Sequence, residues 1–212
     1  MSTDQRVFVI DDDEPFRRSL VFLLRSAGFK ADGFASAEAF LLAGPLDDVG
    51  CVVTDLRMPR VSGLDLQGAL LARGSTLGFV FVSAFAHVRD ATQAMRDGAI
   101  DFLEKPIDAE RLLARVRDAL AWSAEQSQRG EATRRAREAW ERLTPREREI
   151  MAAVVAGQRN REIAEAFDIS PRTVEVHRAH IMEKMEAESV AELVRTALLL
   201  REAGLPAAAA EG

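Results

Sequence analysis

The sequence predicts two domains: a doubly wound α/β domain built on a five-stranded parallel sheet, and an all-α domain of four helices. In the first half, short apolar runs alternate with stretches whose apolar residues recur three and four positions apart, as on helices. Strands separated by helices favour a parallel sheet covered on both faces, and right-handed crossovers make it doubly wound. The second half contains helix start and stop signals but no strand pattern.

Five apolar runs are the predicted strands, at residues 7–10, 29–34, 51–54, 79–83 and 99–103. The sheet domain is expected to occupy residues 1–121. In doubly wound sheets, ligands bind at the carboxyl ends of the strands. The polar residues that directly follow these runs are therefore the first candidates for a functional site.

Composition is typical of a globular protein without membrane contact. The 212 residues are 48% hydrophobic and 29% charged, which suffices for a packed core under a charged surface. A single cysteine, Cys51, excludes a disulfide framework and a multi-cysteine zinc site. The first residues lack a signal-peptide pattern, and no apolar stretch approaches the roughly 20 residues of a membrane helix. We therefore expect a cytoplasmic protein.

The net charge of −6 does not by itself indicate nucleic-acid binding. Residues 1–121 carry 14 basic and 18 acidic side chains, and residues 122–212 carry 14 and 16, so neither half is basic. Any affinity for DNA must therefore come from the local placement of a few side chains.

Residues 122–142 are rich in Ala, Glu, Gln and Arg, which predicts a solvated helical linker with almost no apolar face, interrupted at Gly130. A signalling coiled coil is the alternative, but no sustained heptad supports it. A capping box at Thr144 and Glu147 then opens the first of four helices in residues 143–204. The remaining predicted boundaries are Gly157, Asn160, Phe167, Ser170, Ser189 and Gly204. Residues 205–212 are expected to form a flexible tail.

Polar residues follow four of the five predicted strands at one edge of the sheet. Three aspartates at 11–13 follow the first strand, Asp55 follows the third, Ser83 ends the fourth, and Lys105 follows the fifth. Each alone is more often a helix cap or a surface residue, but together at strand ends they indicate a site. Converging carboxylates repel each other, and a hard cation relieves that repulsion. Oxygen ligands of this kind suit Mg²⁺, or Mn²⁺.

This set of groups is suited to phosphoryl transfer. Asp55 beside the cation can attack phosphorus and form an aspartyl phosphate. Lys105 would neutralise the phosphoryl oxygens, and the Ser83 hydroxyl would donate a hydrogen bond to them. Because phosphoryl transfer depends mainly on positioning and charge neutralisation, the sequence predicts a phosphoacceptor site.

The motifs VIDDD at 9–13, VTDLRMP at 53–59, SG at 62–63 and FLEKP at 102–106 resemble the receiver domain of two-component response regulators, whose fold is flavodoxin-like. The resemblance covers residues 5 to about 121. It implies that Asp55 is the phosphoacceptor and that Lys105 binds the phosphate. It further implies that Asp12, Asp55 and the backbone carbonyl of Arg57 hold the metal, with Asp11 acting largely through a bridging water.

The same resemblance implies a switch made of Ser83 and Phe102. Phosphorylation would draw Ser83 inward, and Phe102 would turn into the space that it leaves. Plain core packing is the alternative role for Phe102. The sequence departs from the family at Phe85, where smaller or more polar residues are common. This departure predicts altered access to Asp55 and an altered lifetime of the phosphate.

The predicted third helix of the second domain, at about 171–185, has two distinct faces. One face should pack inward and carries Val174, Ile181 and Met185, with His177 at its edge. The opposite face carries Arg172, Val176, Ala179, His180 and Glu183. Small apolar residues on an exposed face fit close approach to thymine methyl groups, and a short turn before such a helix is typical of helix-turn-helix proteins. An interaction bundle is the alternative.

The runs LTPRERE at 143–149, NREIA at 160–164 and ISPRTVEVHR at 169–178 resemble the LuxR-type DNA-binding domain. Joined to a receiver, this is the NarL/FixJ class of response regulators. The resemblance implies DNA-facing or phosphate-contacting roles for Arg161, Arg172, Thr173, Glu175, Val176, His177, Ala179 and Lys184. His180 is a further groove-facing candidate, although the family often has asparagine there.

These resemblances predict a response regulator that a sensor histidine kinase phosphorylates and that binds promoter DNA, with RNA polymerase as a further partner and activation as the commoner outcome. They also imply dimerisation around residues 91–102, release of the DNA-binding helix from the receiver, or both. We expect no enzyme activity beyond the protein's own phosphorylation and dephosphorylation. Two other classes stay open: an aspartate-nucleophile phosphatase, whose Asp-x-Asp motif is not matched by Leu56 and Arg57, and a phosphorylation-independent binding protein.

Overall fold

The structure, a computed structural model, describes residues 6–43, 49–84 and 88–205. It divides into two compact units, Met1–Ser127 and Gln128–Gly212. The first unit extends beyond the predicted limit at 121, because Ser123 is fully buried and its Oγ accepts a hydrogen bond from the Gly50 N–H at 3.0 Å. Residues 122–127 therefore belong to the first unit and not to a linker.

Five parallel strands form the sheet of the first unit. They are β1 (Arg6–Ile10), β2 (Lys30–Phe34), β3 (Gly50–Asp55), β4 (Gly78–Ser83) and β5 (Asp101–Glu104), in the order β2-β1-β3-β4-β5. Each overlaps one predicted strand, so the prediction of a doubly wound α/β domain is confirmed. The strand order reverses between β1 and β3, and in this fold class ligands bind at such a reversal.

Helices cover both faces of the sheet: α1 (Glu14–Ser26), α2 (Ala37–Ala43), α3 (Gly63–Leu71), α4 (Val88–Arg96) and α5 (Ala109–Glu141). Successive residues of β1 point to opposite faces. Val7 packs in one apolar cluster with Leu24 of α1 and Val116 of α5. Phe8 packs in the other cluster, with Leu66 of α3. Each face of the sheet therefore has its own core, and the loops at the strand ends are left for function.

Helix α5 is continuous through Gly130, so the predicted interruption there is wrong. A glycine inside a helix costs about 1 kcal/mol relative to alanine, and the surrounding Arg, Glu, Ala and Gln residues are strong helix formers. Ion pairs one helical turn apart strengthen the following segment: Arg135–Glu131 at 3.3 Å and Arg134–Glu138 at 2.8 Å. The single unfavourable residue is therefore outweighed by its neighbours.

The second unit is all-helical, as predicted. It contains α6 (Pro145–Val155), α7 (Asn160–Ala166), α8 (Pro171–Lys184) and α9 (Val190–Glu202). Its core includes Ile150, Ile163, Val174 and Leu193, one from each helix. The end of α5 joins this core through three buried residues, Ala136, Ala139 and Trp140. The expectation that the linker has almost no apolar face is therefore wrong for its last turns.

Helix starts in the second unit follow the capping pattern, with one correction. At the predicted capping box, the Thr144 N–H donates to Glu147 Oε2 at 2.7 Å and the Glu147 N–H donates to Thr144 Oγ1 at 3.3 Å. Asn160 is not a cap: it is the first residue of α7, and Arg159 precedes the helix. The Arg159 N–H donates to Glu162 Oε2 at 2.6 Å, and this hydrogen bond explains the shift by one residue.

Some predictions fall on residues that the structure does not describe. Phe85 and residues 206–212, most of the predicted tail, lie outside the described ranges. Leu205, the last described residue, packs against the core of the second unit. Among the described residues, no helix combines the length and the apolar character that crossing a bilayer requires.

Candidate functional site

Two carboxylates and one ammonium group meet at the carboxyl edge of the sheet. Asp11 follows β1, Asp55 ends β3, and Lys105 follows β5. Lys105 Nζ donates to Asp11 Oδ2 at 2.9 Å and to Asp55 Oδ2 at 3.0 Å. The Asp11 and Asp55 side chains are only 2% and 14% exposed. The fold thus brings three of the predicted site residues into direct contact.

Burial and hydrogen bonding shift the pKa values of Asp11 and Lys105 in opposite directions. Burial raises the pKa of the Asp11 carboxyl, and hydrogen bonds from Lys105 and the Asp13 N–H offset only part of that effect. Burial alone would lower the pKa of Lys105, but its hydrogen bonds to Asp11 and Asp55 outweigh burial and leave that pKa above its ordinary value. Lys105 is therefore held in its charged form between the two carboxylates.

Asp12 completes an acidic set that fits a hard divalent cation. One oxygen from each of Asp11, Asp12 and Asp55 lies within 4.8 Å of the others. The set offers only oxygen ligands, which Mg²⁺ and similar cations prefer. The Arg57 N–H donates to Asp55 Oδ1 at 3.1 Å, so the Arg57 peptide lies beside the carboxylate. The backbone carbonyl of Arg57 remains a predicted further ligand.

Gly63 allows a close approach of the chain behind Asp55. A Cβ atom at position 63 would lie 2.4 Å from the Asp55 carbonyl oxygen and 3.0 Å from the Phe81 ring. Ser62, directly before it, caps α3 in a reciprocal pair with Asp65. The SG pair in the sequence therefore has a steric role, since it fixes the segment that follows Asp55.

Ser83 and Phe102, the two predicted switch residues, lie on β4 and β5. Ser83 is 2% exposed, and its carbonyl oxygen accepts a hydrogen bond from the Lys105 N–H at 2.9 Å. The Phe102 ring is half-buried and stacks on Phe81, with 6.3 Å between centroids and 16° between planes. Phe102 is thus packed against the core in this structure, and its movement stays a prediction.

The two faces of α8 are those that the sequence predicted. The inward face is buried at Val174, Ile181 and Met185, and His177 is half-buried at its edge. The opposite face is exposed at Arg172, Val176, Ala179, His180 and Glu183. The Val176 residue is 45% exposed. This face therefore offers methyl groups to solvent between polar side chains.

A tight turn joins α7 to α8. Asp168 in this turn has a left-handed φ of 51°, and the Thr173 N–H donates to Ser170 Oγ at 3.0 Å, which caps α8. Arg161 on α7 and Thr173 on α8 are both exposed. Two helices joined by a short turn, with the second exposed along one face, form a helix-turn-helix unit.

Comparison with known proteins agrees with this description of both units. Residues 7–117 match the response regulator receiver domain, and residues 141–197 match the luxR family of bacterial regulatory proteins. FixJ of Azorhizobium caulinodans is 47% identical over 193 residues, which cover 91% of this chain and 92% of FixJ. The chain belongs to the FixJ-like response regulators.

Other members of the family are similar over the same length. The tetrathionate response regulatory protein TtrR of Salmonella typhimurium is 41% identical over 189 residues, or 89% of this chain and 90% of TtrR. The solved structure of the response regulator StyR has a TM-score of 0.79 at 37% identity and covers 93% of this chain and 98% of StyR. This FixJ-like regulator therefore belongs to a two-component system, and its domains imply a cognate sensor kinase and a DNA partner.

In this response regulator, Lys184 is engaged within its own domain. Its Nζ lies 2.6 Å from Glu147 Oε2 and 2.9 Å from Glu147 Oε1. Burial alone would raise the pKa of Glu147, but hydrogen bonds from Lys184 and Thr144 outweigh it and lower that pKa to about 2. The ion pair competes with the predicted phosphate contact of Lys184, because the lysine charge is already balanced.

The other predicted DNA contacts differ in how exposed their side chains are. Arg172 is 85% exposed in its side chain and pairs with Glu175 at 3.2 Å, a contact that solvent weakens. His177 Nδ1 is buried, and no described residue is its hydrogen-bond partner. Arg172 is therefore accessible to a partner from outside, whereas His177 is half-buried in its own domain.

Phe16, in the first turn of α1, is a residue of the carboxylate site that the sequence analysis missed. Its ring centroid lies 3.8 Å from Lys105 Nζ. The only signal in the sequence is an aromatic residue four positions after Asp12. That signal is weak, because the contact with Lys105 depends on how β1 and β5 are arranged in the sheet.

Proposed function

We propose that this response regulator accepts a phosphoryl group on Asp55 from a sensor histidine kinase and, once phosphorylated, binds promoter DNA through α8. The contact of the Lys105 ammonium with both Asp11 and Asp55, at 2.9 and 3.0 Å, is the observation that carries the first step. A carboxylate that already contacts a cation is suited to accept a phosphoryl group, because the cation can balance the charge of the phosphoryl oxygens.

The acceptor atom is a carboxylate oxygen of Asp55. It attacks phosphorus while the bond from phosphorus to the phosphohistidine nitrogen of the kinase breaks, and that nitrogen keeps the bonding electrons. The Arg57 N–H holds Asp55 Oδ1 and Lys105 holds Oδ2, so the carboxylate is oriented before the attack. Lys105 then balances the charge of the phosphoryl oxygens, and the Ser83 hydroxyl donates to one of them.

The step is proposed to need Mg²⁺ or Mn²⁺. Asp12, Asp55 and the backbone carbonyl of Arg57 would hold the cation directly, and Asp11 would hold it largely through water. Such a cation, when bound, reduces the repulsion between the carboxylates and the incoming phosphoryl group. The oxygen-only set within 4.8 Å supports this assignment.

Phosphorylation of the full chain tests the proposal directly. Incubation with acetyl phosphate should label the wild type in the presence of Mg²⁺ and not in EDTA, and Asp55→Asn should remove the label. Asp32→Asn is the matched control, because it removes a 46% exposed carboxylate from β2 and should label like the wild type. Equal labelling of the wild type and Asp55→Asn would contradict the assignment.

Two rival classes of function predict different outcomes in assays with phosphoryl donors. We propose that the protein catalyses only its own phosphorylation and dephosphorylation, so that p-nitrophenyl phosphate should yield at most one covalent event per chain within the lifetime of the aspartyl phosphate. Many turnovers would favour an aspartate-nucleophile phosphatase. Absence of label with any small phosphoryl donor or kinase would favour a binding protein that does not depend on phosphorylation.

DNA binding is proposed to use the exposed face of α8 and residues near it. Small and apolar residues can approach thymine methyl groups, and Arg172 can bond a guanine or a phosphate. The proposed base-facing residues are Arg172, Thr173, Glu175, Val176, Ala179 and His180, and the proposed phosphate contacts are Arg161, His177 and Lys184. The exposure of Arg172 and Val176 supports this assignment most directly.

Footprinting of a promoter with the phosphorylated full chain tests the reading helix. Arg172→Ala and Val176→Asp should each weaken binding about 5- to 100-fold, the range expected for a lost or blocked base contact. Arg134→Ala is the matched control, since it removes the same charge from an exposed position of α5. If both α8 variants bound as well as the wild type, α8 would not be the reading helix.

We propose that the bound regulator activates transcription through RNA polymerase. Phosphorylation would act by forming a homodimer, by releasing the DNA-binding domain, or by both. Exposed apolar residues on α4, such as Val88 and Met95, support a dimer surface around residues 91–102. The mass in solution should double when beryllofluoride is added with Mg²⁺. An unchanged mass would leave release as the mechanism. Since promoter DNA and RNA polymerase lie in the bacterial cytoplasm, we propose a cytoplasmic protein.

A further inference from the structure

Among the described residues, the ammonium group of Lys105 contacts two carboxylates and an aromatic ring. Two of its N–H groups are directed to carboxylates, Asp11 Oδ2 at 2.9 Å and Asp55 Oδ2 at 3.0 Å. The centroid of the Phe16 ring lies 3.8 Å from Nζ, well within the range of a cation–π contact. Because the Lys105 side chain is only 19% exposed, water screens this contact less than it would at the surface.

A closed set of contacts fixes the position of the Phe16 ring. Asp11 Oδ1 accepts from the Asp13 N–H at 2.8 Å, and Asp13 Oδ1 accepts from the Phe16 N–H at 3.1 Å, which caps α1. The Phe16 ring contacts Lys105 Nζ, and Lys105 Nζ in turn donates to Asp11 Oδ2, the second oxygen of the same carboxylate. The acidic pair, the start of α1 and the lysine are therefore held as one unit.

We propose that Phe16 is a positioning residue for phosphoryl transfer, acting through Lys105. The lysine side chain is a flexible four-carbon stem, and its ammonium can rotate freely unless something limits it. During transfer, Lys105 must exchange its contact with Asp55 for a contact with the phosphoryl oxygens. The ring keeps the ammonium beside Asp55 throughout that exchange, so less orientational freedom is lost when the phosphoryl group arrives.

This inference rests on the proposed function, and it competes with a simpler role for Phe16. The ring is half-buried and also packs against the apolar cluster shared by α1, α5 and one face of the sheet. A purely structural residue would act through the stability of that cluster and would be replaceable by leucine. A positioning residue would need the electron-rich face of the ring.

Two substitutions separate these roles. Phe16→Leu keeps an apolar side chain but removes the ring, and the rate of labelling by acetyl phosphate in Mg²⁺ should fall about three- to tenfold. Phe16→Tyr keeps the ring and should restore the rate to within about twofold of the wild type. Fluorinated phenylalanines at position 16 offer a finer series. Each added fluorine makes the ring face less negative with little change in size, so the rate of labelling should fall stepwise with the number of fluorines.

A double-mutant cycle with Lys105→Met tests whether Phe16 acts through the lysine. If it does, Phe16→Leu will slow labelling in the wild-type background and will have no further effect once Lys105 is replaced. An equal effect of Phe16→Leu in both backgrounds would show that the ring acts on packing and not on Lys105. A flat fluorine series would overturn the proposal in the same way.

A measurement without any phosphoryl donor checks the contact itself. The ring current of Phe16 should shift the NMR signals of the Lys105 Cε protons upfield in the wild type and in Phe16→Tyr, and the shift should vanish in Phe16→Leu. If the wild type took label on Asp55 but the Phe16 variants were unchanged, only the role of Phe16 would be wrong. If the wild type took no label on Asp55, the proposed function would fail and this inference with it.

Discussion

Replacing Glu147 with glutamine should destabilise the DNA-binding domain in a manner that depends on pH. The carboxylate is 4% exposed and lies 2.6 Å from Lys184 Nζ, and it also accepts the Thr144 N–H at 2.7 Å. Glutamine has nearly the same size and can still accept from Thr144. The substitution therefore removes the charge of Glu147 while keeping most of the cap.

The magnitude follows from the lowered pKa. A fall from 4.5 to about 2 corresponds, at about 1.4 kcal/mol for each tenfold change in proton affinity, to about 3 kcal/mol of stabilisation at neutral pH. Because the folded-state pKa of Glu147 is depressed, this contribution is present above pH 4.5 and is lost as the pH falls towards 2. We expect Glu147→Gln to lose about 2 kcal/mol at pH 7, since part of the hydrogen bonding remains.

Urea unfolding of the full chain, followed by tryptophan fluorescence, measures this effect. The chain has two tryptophans, so a Trp122→Phe background leaves the buried Trp140 as the reporter of the second unit. Between pH 7 and about pH 3.5, the difference in unfolding free energy between this background and its Glu147→Gln variant should shrink by about 1.4 kcal/mol. Glu192→Gln at the start of α9, where the carboxylate is 39% exposed, should change stability by under about 1 kcal/mol.

The ion pair would be shown to contribute nothing if Glu147→Gln unfolded at the same urea concentration as its background at pH 7. A difference that stayed constant with pH would also contradict the reasoning. In that case the loss would come from altered packing, because only a titrating carboxylate links stability to pH in this range.

Three further predictions concern glycines and the metal. Gly63→Ala should destabilise the receiver in urea unfolding by about 2 kcal/mol or more, because the new Cβ would lie 2.4 Å from the Asp55 carbonyl oxygen. Gly68→Ala in the same helix is the control: its Cβ would meet nothing within 4 Å, and the substitution should stabilise the receiver by about 0.5–1 kcal/mol. Gly130→Ala, also free of contacts, should stabilise α5 by about 1 kcal/mol by circular dichroism; a loss of helicity would contradict the continuous helix. Mg²⁺ at about 100 times its Kd should raise receiver stability by about 2.7 kcal/mol, and Asp12→Asn should reduce that gain at the same Mg²⁺ concentration; an undiminished gain would exclude Asp12 as a ligand.

The sheet and the residues at its edge could be predicted because both depend on short-range pattern and on general topology. Apolar runs separated by amphipathic stretches define parallel strands, and the carboxyl ends of parallel strands meet at one edge. Asp11, Asp55 and Lys105 follow from that rule alone, although they are far apart in the sequence. The exposed face of α8 could be predicted for the same reason, since helical periodicity separates Val174 from Val176.

Features that depend on a balance of small energies or on tertiary contacts could not be predicted. The continuity of α5 at Gly130 depends on whether its neighbours outweigh a cost of about 1 kcal/mol. The Lys184–Glu147 pair joins two helices across the domain, and nothing in either local sequence indicates it. The contact between Phe16 and Lys105 likewise requires the relative position of β1 and β5 in the finished sheet.

The hydrogen bond from the Lys105 N–H to the Ser83 carbonyl oxygen couples two groups that the chain supplies separately. It ties the last residue of β4 to the first residue beyond β5, so the backbone positions that carry the Ser83 hydroxyl and the Lys105 ammonium are held next to each other. The backbone at these two positions is therefore fixed by the main chain, whereas the position of the ammonium at the end of its flexible side chain depends on Asp11, Asp55 and Phe16. Because only main-chain atoms make this hydrogen bond, side-chain substitutions nearby can accumulate without removing it.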